Sequence, residues 1–243
     1  MGSLRKTAFV AGALYVITFA ASIPAAFVLL RPVLDDPGFI LGAGSATSVV
    51  WGGLLDVINA IACIGTAVVL FPVVKRQSEA AALGFVTTRV LEAATIFVGV
   101  VSLLSVVTLR HNLAAGAGAE VASLVTTGQA LVAIRDWTFL FGPGVMAALN
   151  ALLLGSLMYR SGLVPRVIPL IGLIGAPLLL ASTIATLFGF FDQLSPVAAV
   201  LGLPIFVWEL SLGVYLIVKG FKHSPITAAM TAGNPPADRR VTV

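Results

Sequence analysis

The stretch from Ala82 to Leu109 reads ALGFVTTRVLEAATIFVGVVSLLSVVTL and decides the fold class. Arg89 and Glu92 are its only charged residues, and it exceeds the roughly 20 residues that carry a helix across the bilayer core. A strand of a transmembrane barrel would alternate apolar and polar residues, whereas this run is continuous. The stretch therefore predicts a membrane-spanning helix.

Five further runs have the same character, so the sequence predicts an all-α, polytopic bundle of six transmembrane helices. Residues 1–223 form this transmembrane domain, and the tail of residues 224–243, rich in Pro, Ala, Thr and Gly, is predicted to be disordered. The connection between residues 110 and 130 is predicted as either a short interfacial helix or a solvated linker. The first run is too long for a signal peptide, which favours a retained helix. The predicted spans are residues 7–30, 47–74, 82–109, 131–159, 167–190 and 196–218.

Composition excludes several classes of protein. Of the 243 residues, 59% are hydrophobic and 10% are charged, whereas a soluble domain carries about 25% charged residues. The net charge is +4, but the basic residues stand singly or in pairs at the ends of apolar runs, which argues against a nucleic-acid partner. The lone Cys63 excludes an intrachain disulfide, and with two histidines outside the spans we expect neither a metal site nor a cofactor.

The distribution of Lys and Arg orients the chain. The only Lys or Arg residues in the connections after the first, third and fifth spans are Arg31 and Arg110, and the others outside the spans lie on the opposite side. Lysine and arginine are retained on the cytoplasmic side of a membrane. We therefore predict that both termini are cytoplasmic and that the protein is a multi-pass protein of the bacterial cytoplasmic (inner) membrane. The Lys and Arg residues assigned to the cytoplasmic side are Arg5, Lys6, Lys75, Arg76, Arg160, Arg166, Lys219, Lys222, Arg239 and Arg240.

Ionisable residues inside the spans are the candidates for function, because such residues are costly in a bilayer and usually face a bundle interior or a cavity. Arg89 and Glu92 are three residues apart and can neutralise each other on one helix face. Glu209, Asp136 and Asp56 lack such a partner in their own helix, which makes them candidates for handling a proton. The predicted ligand-binding set is Asp56, Asn59, Arg89, Glu92, Asp136, Trp208 and Glu209.

Aromatic and helix-breaking residues accompany these acids. Trp51 and Trp137 fit an interfacial aromatic belt, whereas Trp208 lies deeper and is included in the set. The motifs FGPG at residues 141–144 and GLP at residues 202–204 predict breaks in the fourth and sixth spans.

Three functions are compatible with this set. The first is binding or moving a small lipophilic or amphipathic molecule at an acidic pocket, with proton coupling as a variant. Glu92 and Glu209 lie at similar depths in the last helix of each three-helix half, as in inverted repeats. The second is an intramembrane enzyme that uses a buried Glu or Asp as general acid on an isoprenoid-type substrate. The third is a structural or regulatory subunit, a homo-oligomer included, in which Arg89 bridges Glu92 and an acid on another helix.

Four segments carry a resemblance to a known family. They are KTAFVAGALY at residues 6–15, RVLEA at 89–93, YRSGLVPR at 159–166 and WELSLGVYLIVKG at 208–220. Together the chain resembles, over residues 6–221, the bacterial membrane family catalogued as domain of unknown function 4386. The resemblance implies a six-helix membrane protein and no particular activity. Members carry a histidine near the start of the fourth span, where this chain has Arg135-Asp136-Trp137, so no role of that histidine is transferred.

Overall fold

Long apolar helices account for most of the chain. The computed structural model describes residues 2–116 and 121–232, and this part of the chain contains six helices long and apolar enough to cross a membrane, with no strand. The prediction of an all-α, six-span membrane protein is confirmed. The helices are α1 (Ser3–Leu29), α2 (Ala46–Val74), α3 (Glu79–Ala114), α4 (Val121–Ser161), α5 (Val167–Leu187) and α6 (Pro196–Val218).

The helix ends follow from local sequence. Serine hydroxyls at Ser45, Ser78 and Ser195 accept hydrogen bonds from backbone amides three residues later and thereby begin α2, α3 and α6. Gly162 ends α4 in the left-handed conformation, with φ of 65°, which costs glycine little. These caps lie at the connections that the apolar runs predicted.

Two helices are longer than predicted. Helix α4 begins at Val121, so residues 121–130, predicted as an interfacial helix or a linker, continue the spanning helix instead. Packing explains the extension, because Gly128 is buried against Ile40 of the α1–α2 connection. Helix α3 likewise continues to Ala114, and Arg110 donates hydrogen bonds to four carbonyl oxygens of that connection. Residues 117–120 lie outside the described part of the chain.

The segment after α6 also differs from our prediction. Within the tail predicted to be disordered, Pro225–Ala232 form a short helix, α7. The hydroxyl of Ser224 donates to the carbonyl oxygen of Ser161 at 2.5 Å, and the amide of Lys222 donates to that of Leu163 at 2.8 Å. These bonds attach the chain to the α4–α5 turn. Residues 233–243 lie outside the described residues.

The six spanning helices form a closed ring in chain order. Each helix packs against the next one, and α6 packs against α1. Glycine permits the closest approach: a Cβ atom on Gly12 would lie only 2.5 Å from the carbonyl oxygen of Gly213. Arg5 of α1 donates to the carbonyl oxygens of Leu216 and Ile217 at 2.9 and 2.6 Å. The N-terminus and the end of α6 therefore lie on the same side of the bundle.

The two halves of the ring are filled differently. In the half that holds the start of α1 and the end of α6, here called the terminal half, large side chains of the ring form one buried apolar core, which includes Tyr15, Phe85, Leu154, Met158 and Leu212. In the opposite half, the far half, a smaller cluster packs the α1–α2 connection against α2 and α3. The rest of the far half encloses a cavity.

Candidate functional site

Arg89 stands at the centre of the bundle and bridges two acids. Its guanidinium donates from Nη1 to Oε2 of Glu92 at 3.0 Å and from Nη2 to Oε1 of Glu209 at 2.5 Å. Glu92 is one helical turn away on α3, whereas Glu209 lies on α6, on the opposite side of the ring. Arg89 is only 1% exposed. A buried ion triad thus joins two helices that do not neighbour each other in the ring.

Further side chains complete what we call the Arg89 network, which consists of Arg89, Glu92, Glu209, Asn150 and Cys63. The amide of Asn150 on α4 donates to Oε2 of Glu92 at 2.6 Å, and Thr88 donates to Oδ1 of Asn150. Arg89 Nη1 also lies 3.6 Å from the sulfur of Cys63 on α2. Residues of α2, α3, α4 and α6 therefore meet at one point.

An aromatic ring supports the guanidinium from the terminal half. The Arg89 guanidinium carbon lies 5.1 Å from the centroid of the Tyr15 ring on α1, within the range of cation–π attraction. Arg89 Nε is sealed from solvent and from the cavity, and it has no hydrogen-bond partner among the described residues. Nη1 has two partners, Glu92 and Cys63, and Nη2 has one, Glu209, so one N–H of Nη2 remains for a further acceptor.

A cavity of about 580 Å³ lies directly above the network in the far half. Its volume falls within the range of roughly 300–1,000 Å³ that small-molecule sites occupy. Arg89, Glu92, Cys63 and Glu209 belong to its lining, at its base. Its walls are mostly apolar, with contributions from Phe19, Ile23, Phe27, Leu140, Leu179, Ile205 and Phe206.

Polar side chains also line the cavity without partners in the protein. Asp56 forms no hydrogen bond or ion pair with any described residue, although Arg135 lies within electrostatic range of it. Asn59 and Ser182 are 8% and 3% exposed and both belong to the lining. The described residues provide no partner for the Ser182 hydroxyl or the Asn59 amide nitrogen. These groups remain free to bind a molecule in the cavity.

The cavity opens between α1 and α6. Every described lining residue with an exposed side chain lies on one of these two helices, namely Ile23, Phe27, Ala199, Leu203 and Phe206. In the terminal half the same helices touch at Gly12 and Gly213, and Phe19 packs edge-to-face on Phe206 at 5.0 Å. The opening therefore starts above this aromatic pair, on a side of the ring that faces lipid when the helices span a bilayer.

The two predicted helix breaks have different outcomes. Residues Leu140–Met146 form a π-helical segment within α4, where Pro143 cannot donate the usual backbone hydrogen bond. This wider turn places Leu140, Pro143 and Gly144 in the cavity wall. Helix α6, in contrast, runs from Pro196 to Val218 with Pro204 inside it and no break.

Of the predicted site residues, five line one cavity and two do not. Asp56, Asn59, Arg89, Glu92 and Glu209 are brought together. The two predicted residues outside the cavity are Asp136 and Trp208. The side chain of Asp136 is 56% exposed beside Arg135, and Trp208 is buried against Gly172 of α5. Neighbours in a helix point about 100° apart, so Trp208 and Glu209 cannot face the same space. Trp51 and Trp137 are exposed, as an aromatic belt requires.

Sequence reasoning missed four residues of the site. Asn150 could have been identified from the sequence, because a polar amide side chain in an otherwise apolar span indicates a buried partner or a cavity. Tyr15 ends the segment KTAFVAGALY, which is one of the four that carry the family resemblance, and nothing in its spacing indicates a contact with Arg89. Cys63 and Ser182 are small and common in membrane helices, so only the packing of the ring reveals their position. Within the described residues no three His, Cys, Asp or Glu side chains are grouped closely enough to hold a metal ion.

Comparison with protein families gives a match over most of the chain. A family model described as "Domain of unknown function (DUF4386)" matches residues 10–220. This range contains the whole Arg89 network and every residue of the cavity lining. No curated protein and no solved structure matches the chain.

Proposed function

The chain belongs to the family described as domain of unknown function, DUF4386, and we propose that this integral membrane protein binds a small lipophilic or amphipathic molecule in the cavity of its far half. The observation that supports the proposal is a single cavity that is apolar in one part and charged in another. Its walls are apolar, and its base holds the charged Arg89 network. An amphipathic molecule matches both, because its chain can cover the walls while its polar end meets the base.

The position of the opening supports entry from the bilayer. The exposed lining residues lie between α1 and α6 and are apolar. A lipophilic molecule concentrated in the membrane would therefore reach the cavity without crossing water. Phe19 and Phe206, in edge-to-face contact, would form the lower edge of this entrance.

Movement of the molecule is an extension of the same proposal. The apolar core of the terminal half closes the cavity on the side of the termini, so release to that side requires the core to open. Glu209 connects α6 to Arg89 through a single oxygen. Neutralisation of the Glu209 carboxylate, by proton uptake or by ligand binding, would release α6 from α3. This release would couple proton uptake or ligand binding to movement of the molecule.

A purely structural role explains only part of the site. The bridge from Arg89 to Glu92 and Glu209 is what the third hypothesis expects of a register-fixing ion pair. Such a role gives no reason for a cavity of about 580 Å³ or for the unpaired Asp56 and Ser182 in its wall. Binding accounts for both features.

Filling the cavity tests the proposal. A Cβ atom on Gly202 meets only Leu179, at 3.9 Å, so the side chain of Gly202→Phe enters the cavity without displacing backbone. We expect a photoreactive decanol with a diazirine in its chain to label cavity-lining peptides of the wild-type protein in lipid nanodiscs. Gly202→Phe should reduce this labelling at least tenfold, as measured by peptide mass spectrometry.

The matched control places the same ring on the outside of the same helix. Val200 is 69% exposed and is not part of the lining, so Val200→Phe should retain wild-type labelling. Equal labelling of Gly202→Phe and the wild type, or labels confined to outward-facing residues, would refute binding in the cavity.

A further inference from the structure

We infer that the molecule carries a cationic head group of the protonated-amine class, bound by the carboxylates of Glu209 and Asp56. This inference rests on the proposed function and specifies the class of ligand. It follows from the charges and free hydrogen-bonding atoms that face the cavity.

Negative charge is in excess in the lining. Three carboxylates line the cavity, those of Asp56, Glu92 and Glu209, and Arg89 is the one basic side chain among the described lining residues. Arg135 lies outside the lining but within electrostatic range of Asp56, so two guanidinium groups face three carboxylates and one negative charge remains in excess. A buried, uncompensated charge is costly, so a ligand that brings a positive charge gains more than a neutral one.

Most of the charged atoms that remain free are acceptors on acids. Glu92 accepts from both Arg89 and Asn150 through Oε2, which leaves its Oε1 without a hydrogen-bond partner among the described residues. Glu209 accepts from Arg89 through Oε1, which leaves its Oε2 without a partner among the described residues. Asp56 has both oxygens free.

Nη1 of Arg89 donates to Glu92 and approaches the sulfur of Cys63. Nη2 of Arg89 donates to Glu209, and Nε is sealed from the cavity. One N–H of Nη2 is therefore the charged donor that Arg89 can still offer to an anionic head group, whereas several carboxylate oxygens are free to accept from a cationic one.

Two neutral side chains point to a ligand independently of the acids. Asn59 and Ser182 are more than nine-tenths buried, they line the cavity, and the Ser182 hydroxyl and Asn59 amide nitrogen have no partner in the described protein. Buried polar groups are normally hydrogen-bonded. An ammonium group donates up to three hydrogen bonds, and the free oxygens of Glu209, Asp56 and Ser182 are acceptors for them.

The apolar walls distinguish an organic cation from an inorganic one. A hydrated metal ion would leave Phe19, Phe27 and Phe206 facing an empty space, whereas the chain of an alkylamine would cover them. No metal-binding group of three ligands exists in the described residues. The geometry therefore favours an amphipathic amine.

Competition among three matched molecules tests the inference. Decylamine, decanol and decanoate share a chain and differ in head-group charge. Each would compete against the photoreactive decanol at neutral pH, in nanodiscs of zwitterionic lipid so that surface charge does not concentrate the amine. We expect decylamine to displace the label at about tenfold lower concentration than decanol or better, since charge-assisted hydrogen bonds exceed neutral ones by this margin, and decanoate to be the weakest competitor.

Two single-residue variants assign the effect to the acids. Asp56→Asn removes a carboxylate that makes no hydrogen bond or ion pair with a described residue and replaces it by a side chain of the same shape. The variant should therefore fold and lose most of the preference for decylamine over decanol. Glu209→Gln should do the same, although it also takes a partner from Arg89. Asp136→Asn is the control, because Asp136 lies outside the lining, and it should keep the wild-type preference.

The outcomes separate this inference from the proposed function. If decanol labels the cavity and decylamine competes no better than decanol, the cationic head group is ruled out while cavity binding stands. If Asp56→Asn and Asp136→Asn behave alike and Glu209→Gln keeps the preference, these acids do not bind the head group. If decanol never labels the cavity, the proposed function itself fails.

Discussion

Arg89 uses most of its hydrogen-bonding capacity within the protein. Its two Nη atoms hold acids on α3 and α6, and one N–H of Nη2 is left for a ligand. The acids that face the cavity are therefore the more informative residues for function. Arg89 sets the positions of Glu92 and Glu209 and thereby the polarity of the base.

Replacing Arg89 tests its structural role. Arg89→Leu leaves the buried Glu92 and the partly buried Glu209 without this counter-charge. Removing one member of a buried ion pair costs about 3–5 kcal/mol. We expect a large fall in the unfolding temperature of the protein in detergent. Adding Glu92→Gln and Glu209→Gln to Arg89→Leu should recover much of the loss, because a neutral replacement of the whole triad leaves no charge unpaired. A triple variant no more stable than Arg89→Leu would contradict this account.

Residue spacing explains which parts of the site were predictable. The pairing of Arg89 with Glu92 follows from a separation of three residues on one helix. The pairing with Glu209 does not, because it joins positions 120 residues apart and depends on α6 lying across the ring from α3. The grouping of Asp136 with these acids rested on residue type alone, and its exposed side chain follows from a helix face that sequence could not assign.

At the level of elements, the contact between α1 and α6 decides the shape of the cavity. The two helices touch at Gly12 and Gly213 and separate above Phe19 and Phe206. Close approach in one half and separation in the other give the lateral opening. The apolar runs predicted both helices, but not that the first and the last would be neighbours.

A small change at Gly12 should disturb this contact. A Cβ atom there would lie 2.5 Å from the Gly213 carbonyl oxygen and 2.9 Å from the Ile217 amide nitrogen, which are backbone atoms that cannot rotate away. We expect Gly12→Val to lower the free energy of unfolding by about 1–3 kcal/mol, as overpacking does. The same change at Gly202, where there is space, should be close to neutral. Equal unfolding temperatures for the two variants would show that α1 and α6 are not held in this contact.

The six spanning helices were all predicted from the sequence, whereas the ends of some of them were not. The ends of α3 and α4 extend past the apolar runs because Arg110 and Gly128 pack on the α1–α2 connection. Hydrophobicity marks the part of a helix that lies in lipid, whereas a helix continues into water as long as its side chains find contacts. The same reason applies to α7, which docks on the α4–α5 turn.

At the level of the whole molecule, both ends of the transmembrane domain lie on one side, and the excess of Lys and Arg on that side predicts that it is cytoplasmic. The cavity then opens toward the outer leaflet. A green fluorescent protein fused after residue 232 should fluoresce in bacterial cells, and alkaline phosphatase at the same position should be inactive. Active phosphatase at this position, together with fluorescence from a fusion in the α1–α2 connection, would invert the topology and turn the cavity toward the inner leaflet.

Ring closure between the first and the last spanning helix has a consequence for biosynthesis. Helices are synthesised in chain order, so α1 is inserted first and lacks its neighbour α6 until the last spanning helix has been translated. Until then Arg89 has Glu92 but lacks Glu209, and the nascent chain holds an open arc of five helices with a polar interior turned to lipid. Closure of the ring and completion of the Arg89 network thus both depend on α6, and a chain that stops before Glu209 has neither.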